Sequence, residues 1–496
     1  MNDNNTSAIV SKVWSFCNPL RDIGVGYGDY LEQLTYLLFL KMADEFSKPP
    51  YNRKLPIPKE YDWESLTAKR GDTLELHYTK LLSELSRQKG ILGQIFVQSQ
   101  NKIKEPAMLY KIIDMIDKEQ WATLGADIKG TIYEGLLEKN AEDTKSGAGQ
   151  YFTPQALIRA MVECVQPQPK KTIADPACGT GGFFLAAYDF IAKGNLDKDQ
   201  KQFLKFKTFF GNEIVANTRR MCLMNMFLHN IGDFDSENFI SPADALIATS
   251  PTTYDYVLAN PPFGRKSSMT ATNEEGEEET DELTYNRQDF WETSSNKQLN
   301  FVQHIRTMLK STGMAAVVVP DNVLFEGGAG ETVRKKLMET TELHTILRLP
   351  TGIFYKQGVK ANVFFFDNKV ASKEHWTKEI WFYDFRTNIH FTLKKNPLKL
   401  EDLRDFITCY NPNNRHKRKE LYNAETNPEG RWRKFSYDEI IARDKTSLDI
   451  SWIKDKSLTD LDNLPDPDVL AGDIIENLEA GLESFREIMI TINGKE

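Results

Sequence analysis

Four residues carry the most readable chemistry of this chain: Asn260, Pro261, Pro262 and Phe263, which end the apolar stretch in YDYVLANPPFG (254–264). Asn260 offers a carboxamide oxygen and Pro261 a backbone carbonyl, on a chain that the two prolines stiffen and strip of N–H donors. Two acceptors so placed can each take one hydrogen of a conjugated amino group. Such a nitrogen is a poor nucleophile because its lone pair is delocalised, and holding both hydrogens favours a pyramidal nitrogen whose pair is free to attack. Phe263 adds a flat face for stacking a planar group. Taken alone, the four residues read as a stiff turn after a strand.

A second stretch, about eighty residues earlier, gives that turn weight. In KTIADPACGTGGFFLAA (171–187), Thr172, Ile173 and Ala174 read as a buried strand ending near Asp175. Gly179, Gly181 and Gly182, with Thr180 among them, read as a turn, and the run from Phe183 as a helix. Glycine lets a backbone approach a ligand with no Cβ in the way, and a helix N-terminus presents unpaired N–H groups. This is the pattern of a nucleotide-cofactor turn. A Walker loop requires Gly-Lys-Ser/Thr and the dinucleotide fingerprint G-x-G-x-x-G, and neither spacing is present.

The elements that must position these residues alternate. Strands are expected near 172–175, 207–212, 255–259, 314–319, 344–349 and 361–367, with a weaker one near 238–241. Helices between them predict an α/β fold with a parallel sheet covered on both faces. Ligands in such folds sit beyond the carboxyl ends of the strands. Glu213 follows the second strand, where a carboxylate can accept from both hydroxyls of a ribose; Asp244 follows the weak third strand, where a turn or cap role is the plain alternative. The insert NLDKDQKQ (195–202) lengthens the distance from the glycine turn to Glu213. LNFVQHIRTMLKSTGMAAVVVP (299–320) reads as a helix, a glycine turn and a buried strand.

Residues 1–145 read as helical, with Leu31, Leu34, Leu38 and Met42 at helical spacing in Asp29–Phe46. SGAGQYFTP (146–154) reads as a linking loop. The polar stretch 265–297 holds the acidic run EEGEEETDE (274–282) and reads as a mobile loop, with Arg265, Lys266 and Arg287 as candidate phosphate contacts. Beyond residue 400, RHKRK (415–419) and RWRK (431–434) are basic, the second with an aromatic, which suits either nucleic acid or an exposed face. The terminal helix, about 468–490, places Ala471, Ile475, Leu478, Leu482, Phe485 and Met489 on a heptad seam that needs a partner surface.

At 496 residues and 40% hydrophobic, the chain can build two or three cores. The apolar runs fall short of the roughly 20 residues of a membrane helix, and no signal peptide precedes them, so a cytoplasmic protein is expected. The five cysteines (Cys17, Cys164, Cys178, Cys222, Cys409) show neither a disulfide framework nor a metal-ligand spacing. A net charge of −9 sits awkwardly with a polyanionic substrate, because affinity for nucleic acid comes mainly from Lys and Arg; a basic partner would resolve this.

The Asp-Pro-Ala-Cys-Gly-Thr-Gly-Gly turn followed by Asn-Pro-Pro-Phe resembles the amino-group DNA methyltransferases that use S-adenosylmethionine. With GQYFTP (149–154) upstream, the chain resembles, nearly end to end, the modification subunit of a type I restriction-modification system. The resemblance implies a Rossmann-like S-adenosylmethionine-dependent methyltransferase domain (146–400), preceded by an all-α N-terminal domain (1–145) and followed by a region with a helical docking tail (401–496). It implies N6-adenine methylation of double-stranded DNA, with Asn260, Pro261, Pro262 and Phe263 catalytic. The cofactor would lie against Gln150, Tyr151, Phe152, Thr153, Pro154 and Gln155, the turn Asp175, Gly179, Thr180, Gly181 and Gly182, and Glu213, with Asp244 at its adenine. The implied partners are a DNA specificity subunit, a second copy of the chain in an assembly of two modification subunits and one specificity subunit, and a restriction subunit. Other readings differ in substrate. Protein glutamine methylases share the motif but lack the helical domain and tail; cytosine amino methylation shares the chemistry; cytosine carbon methylation requires a Pro-Cys nucleophile that the sequence lacks.

Overall fold

The computed structural model describes residues 15, 27–54, 56–121, 153–232, 240–263, 268–272, 278–282, 285, 287–354, 359–393, 396–456 and the helical positions Ala471, Ile474, Ile475, Leu478 and Leu482. The chain forms two compact units: Met1–Pro262 with Thr307–Gly313, and Phe263–Arg306 with Met314–Glu496.

The first unit opens with helices. α1 (Tyr27–Ser47), α2 (Gly71–Ser86), α3 (Gly90–Phe96) and α4 (Pro106–Asp117) form because apolar residues recur at three- and four-residue steps. In α2 these are Leu74, Tyr78, Leu81, Leu82 and Leu85, all buried; in α4 they are Leu109, Ile112, Ile113 and Ile116, behind a proline in the first turn whose missing N–H costs nothing there. Asp117 ties the bundle by accepting from Lys41 Nζ (2.9 Å) and Trp63 Nε1 (2.7 Å).

An α/β layer follows: α5 (Gln155–Val165), β1 (Ile173–Asp175), α6 (Gly182–Ala192), α7 (Lys198–Phe206), β2 (Phe209–Asn212), α8 (Ala216–Leu228), β3 (Ile240–Ser241) and β4 (Tyr254–Ala259). The strands run in the order β3-β2-β1-β4, all parallel, with Ile173 opposite Phe209 and Tyr256. The NLDKDQKQ insert contains the start of α7, closed by a capping box between Asp197 and Gln200. One face of α8 meets the helical bundle, where Arg220 donates to Glu32 Oε1 (2.7 Å) and to the Val97 carbonyl (2.9 Å).

In the second unit a two-stranded antiparallel ribbon, β5 (Ser268–Thr272) with β6 (Glu278–Glu282), occupies part of the stretch expected to be a mobile loop. α9 (Lys297–Met308) leads into β7 (Leu309–Pro320), with Thr307–Gly313 at their junction belonging to the first unit, and α10 (Ala329–Thr340), β8 (Thr341–Arg348), β9 (Ala361–Asn368), β10 (Glu379–Asp384), α11 (Arg404–Tyr410) and β11 (Trp432–Ser436) follow. The order β11-β10-β8-β9-β7 is mixed, not parallel as the alternation suggested. β9 runs antiparallel to β7 and β8, and β11 antiparallel to β10. The twelve residues from 349 to 360 join β8 to β9, a short connection that suits an antiparallel return.

Three further expectations are corrected here. Gly313 is no turn: it lies inside β7, where a Cβ would stand 2.9 Å from the Tyr254 carbonyl oxygen, so glycine permits a close backbone approach. Arg287 is buried, donating to both Asp289 oxygens and facing His304 Nδ1 at 3.0 Å, and does not reach outward for phosphate. Part of each basic stretch after residue 400 holds the fold together, while His416, Lys417, Lys419 and Lys434 keep the exposed charged face that the sequence also suited. Arg415 pairs with Asp367, Arg418 donates to the Tyr410 carbonyl and Thr345 Oγ1, Arg431 to the Asp384 and Thr387 carbonyls, and Trp432 is buried in β11, stacked on Trp381. Of the terminal seam, Ile475, Leu478 and Leu482 are helical and more than half exposed; Phe485 and Met489 lie outside the described residues. Among the described residues no helix is long and apolar enough to cross a membrane.

Candidate active site

The glycine turn is built by backbone. At the carboxyl end of β1 the Cys178 N–H donates to the Asn212 carbonyl at the end of β2 (3.0 Å), and the Gly181 N–H to the Cys178 carbonyl (2.8 Å). Gly179 and Gly181 take φ of +56° and +86°, the left-handed region that glycine enters without strain. A Cβ at Gly179 would meet nothing within 4 Å and so would fill the open side of the turn; one at Gly181 would meet Cys222 Sγ at 3.0 Å. Gly182 opens α6. From α8, Asn225 Nδ2 donates to the Thr180 carbonyl (3.0 Å), while Cys222 and Met226 pack a sulfur layer beneath, with Cys178 Sγ 3.9 Å from Cys222 Sγ.

Glu213 stands just past β2 with its carboxylate pinned: Oε2 accepts from the Gly179 N–H (3.1 Å) and Oε1 from the Val215 N–H (2.8 Å). Each oxygen retains a second lone-pair direction. Burial raises the Glu213 carboxyl above its ordinary value, against the pull of those N–H groups. Asp175 is fully enclosed; burial pushes its carboxyl up to about 8, the Ala177 N–H (2.9 Å) opposes this, and the nearby Glu213 charge adds to it. Ile214, next to Glu213, is 61% exposed. Sequence reasoning missed it, although an apolar residue directly after a ribose-type carboxylate is a readable signal.

Asp244 follows β3 and closes a turn, its Oδ1 accepting from the Leu246 N–H (2.9 Å). That is the turn role weighed from the sequence. Asn212 Nδ2 ties the turn to the end of β2 by donating to the Ala243 carbonyl (3.1 Å).

The end of β4 is built by side chains. Asn260 Nδ2 donates to Thr153 Oγ1 (2.8 Å), which orients the amide and gives its Oδ1 the acceptor role. Pro154 follows Thr153 and its carbonyl accepts from Ile158 N–H in α5, whose first residue is Gln155. Pro261 is buried and Pro262 exposed. Gln150, Tyr151 and Phe152 lie outside the described residues. In the second unit the Phe263 ring meets Phe354 edge-on, centroids 5.8 Å apart and planes at 80°. Phe354, 2% exposed, was not singled out from the sequence. Among the described residues no cluster of three or more His, Cys, Asp or Glu side chains gathers to hold a metal ion.

Comparison with known proteins places these features. The N-6 DNA methylase family pattern matches residues 124–452, and the HsdM N-terminal domain pattern residues 9–116. The methylase subunit of the type I restriction enzyme StySJI from Salmonella typhimurium is 38% identical, over 98% of this chain and 95% of its own length. The EcoKI methylase subunit of Escherichia coli K12 is likewise 38% identical over the same shares. Its crystal structure superposes with a TM-score of 0.53 at 34% identity, covering 98% of this chain and 96% of that one. A modification subunit of a type I restriction enzyme from Vibrio vulnificus shares the fold, with a TM-score of 0.71 at 23% identity over 91% and 97% of the two chains.

Proposed function

Because the chain belongs to the N-6 DNA methylase family and is a modification subunit of the type I restriction class, an enzyme methylating the N6 amino group of adenine in DNA, we propose that Asn260, Pro261, Pro262 and Phe263 are its catalytic residues. The hydrogen bond from Asn260 to Thr153 carries this reading. It joins two motifs 107 residues apart and holds the carboxamide oxygen in the acceptor orientation that the chemistry requires.

The Asn260 Oδ1 and the Pro261 carbonyl each accept one hydrogen of the adenine amino group, so the lone pair leaves conjugation with the ring. Pro262 keeps the loop stiff. Phe263 stacks the base, which must leave the duplex to be reached. The effect is positioning and preorganised electrostatics, with no strong base.

The cofactor is S-adenosylmethionine, whose sulfonium supplies an electrophilic methyl group. The residues present fit it: the open side of the turn at Gly179 has room that a Cβ would remove, and Glu213 has two pinned oxygens for ribose hydroxyls. Asp175, Gly179, Thr180, Gly181 and Gly182 hold its methionine and ribose side, and Ile214 offers an apolar face to the adenine. Asp244 lies at the adenine edge. Gln150 to Gln155 run along the methionine and adenosine portions.

The same functional division follows: 1–145 helical, closing over DNA; 146–400 catalytic; 401–496 for docking. The chain works in a complex. Arg415, Arg418 and Arg431 are engaged by the fold, and a net charge of −9 works against holding duplex DNA by this chain alone. A specificity subunit supplies cationic surface and reads the target, the exposed seam at Ile475, Leu478 and Leu482 docks on that subunit, and a second copy of this chain and a restriction subunit complete the assembly. Mass spectrometry of nucleosides from plasmid DNA treated with the purified complex tests the reading. N6-methyladenine is expected; N4-methylcytosine, or efficient methylation by the chain alone, overturns it.

A further inference from the structure

The second unit carries a half-buried ion pair that the catalytic reading leaves unused. Arg386, just beyond β10, lays its guanidinium against Asp321, just beyond β7, with Nη1 to Oδ2 at 2.5 Å and Nη2 to Oδ1 at 2.8 Å. The same guanidinium donates from Nε to the Leu349 carbonyl (2.9 Å) and from Nη2 to the Ala361 carbonyl (2.9 Å). Leu349 directly follows β8 and Ala361 begins β9, so one side chain bonds both roots of the segment 349–361. Asp321 strengthens the neck: its N–H donates to the Lys360 carbonyl (3.1 Å), and its Oδ1 accepts from Asn362 Nδ2 (2.8 Å). Asp384, at the end of β10, aims Arg386 by accepting from the Arg386 and Thr387 N–H groups and from Thr387 Oγ1.

This segment holds Phe354 behind Phe263. It enters through Gly352 at φ +80°, packed so tightly that a Cβ there would overlap the Phe391 carbonyl. An ion pair taken out of water contributes little net stability, because desolvation offsets the attraction. What the directed bonds of one guanidinium supply instead is geometry.

We propose that Arg386 and Asp321 are positioning residues for the target base: by closing the neck of 349–361 they fix the Phe354 ring edge-on against Phe263, and so fix the plane on which the extruded adenine stacks. Neither touches substrate. The inference rests on the reading of Phe263 as the stacking face.

The test uses the full chain assembled with its specificity subunit, on duplex carrying the sequence found methylated in the host's own DNA: unsubstituted for the methylation rate, and with 2-aminopurine replacing the target adenine for the emission alone, because that base has no N6 amino group to methylate. Arg386→Gln should keep S-adenosylmethionine binding and duplex affinity within about threefold, lose the extruded-base emission, and slow single-turnover methylation by about ten- to a hundredfold, the scale of a small misplacement. Phe354→Ala should give the same pattern, and the double variant should be no slower than the slower single one, because both act through one ring. Arg386→Lys and Asp321→Asn give the same readout should the Gln variant fold poorly. Normal emission and rate in the Arg386 and Asp321 variants, or losses that multiply in the double variant, overturn the proposal. Phe263→Ala separates the two readings. If it is impaired while the Arg386 and Asp321 variants are not, only the positioning role falls; if Phe263→Ala is itself normal, the stacking reading falls and this inference with it.

Discussion

The ends of β1 and β4 lie in one parallel layer, yet they are made by opposite means. At β1 the working groups are backbone: N–H donors, a left-handed turn and the absence of a Cβ at Gly179 and Gly181. At β4 they are side-chain chemistry on a rigid chain, with Asn260 oriented by Thr153. The first region is defined by what must not be there, and the second by one amide that must. Damage to the first should therefore be steric and should remove binding. Damage to the second should be chemical and should remove rate.

Gly181→Val is the harshest break. A β-branched residue at positive φ costs about 1–3 kcal/mol in strain alone, and its Cβ meets Cys222 Sγ; S-adenosylmethionine binding, followed by equilibrium titration, should be lost beside a retained circular dichroism spectrum. Asn260→Ala should leave that titration unchanged and slow single-turnover methylation by roughly a hundred- to a thousandfold, by analogy with a lost oxyanion-hole donor. If Asn260→Ala lost the cofactor as badly as Gly181→Val, the contrast between the two regions would collapse. Thr153→Val is gentler. It removes the bond that orients Asn260, worth about 0.5–1.5 kcal/mol, so the single-turnover rate should fall two- to about tenfold while binding again holds.

A test on stability alone sharpens the β1 side. Burial raises the Asp175 carboxyl from an ordinary value of 3.8 to about 8, so the folded chain keeps a proton that the unfolded chain gives up. That contribution to stability is whole below about pH 4 and is lost as pH rises through 8. Thermal midpoints of the cofactor-free chain should fall over this window, and Asp175→Asn should flatten that part of the profile. An unchanged slope in the variant would show that Asp175 does not titrate there.

The β1 and β4 ends were legible in the sequence because glycine and proline act locally: positive φ and missing N–H groups are decided within a few residues. Strands 173–175, 209–212, 254–259 and 361–368 fell where alternation and burial placed them. What depended on distant partners did not show. Gly313 looks like a turn until the Tyr254 carbonyl passes over it. RHKRK and RWRK look like charged surface throughout until Asp367, Thr345 and Asp384 are found to take Arg415, Arg418 and Arg431. β10, the apolar run EIWFYD, carried a readable signal that was passed over; β11 escaped notice because its polar WRKFS becomes a strand only by pairing with β10, where Trp432 stacks on Trp381. Phe354 was invisible for the same reason, since its meaning comes from Phe263.

β7 is shared: its first residues, through Gly313, are counted with the first unit and the rest with the second. Within the first unit Lys310 Nζ donates to Asp255 Oδ2 (2.6 Å), beside Lys171 on the other oxygen, and those bonds hold the Asp255 carboxyl well below the usual carboxylate range against its burial. A gene cut after Pro262 would thus deliver a cofactor-binding half that lacks a strand start and leaves Asp255 short of one cation. The two units are compact in space but interleaved in the gene, so neither can be inherited, exchanged or expressed as a cassette without carrying a piece of the other.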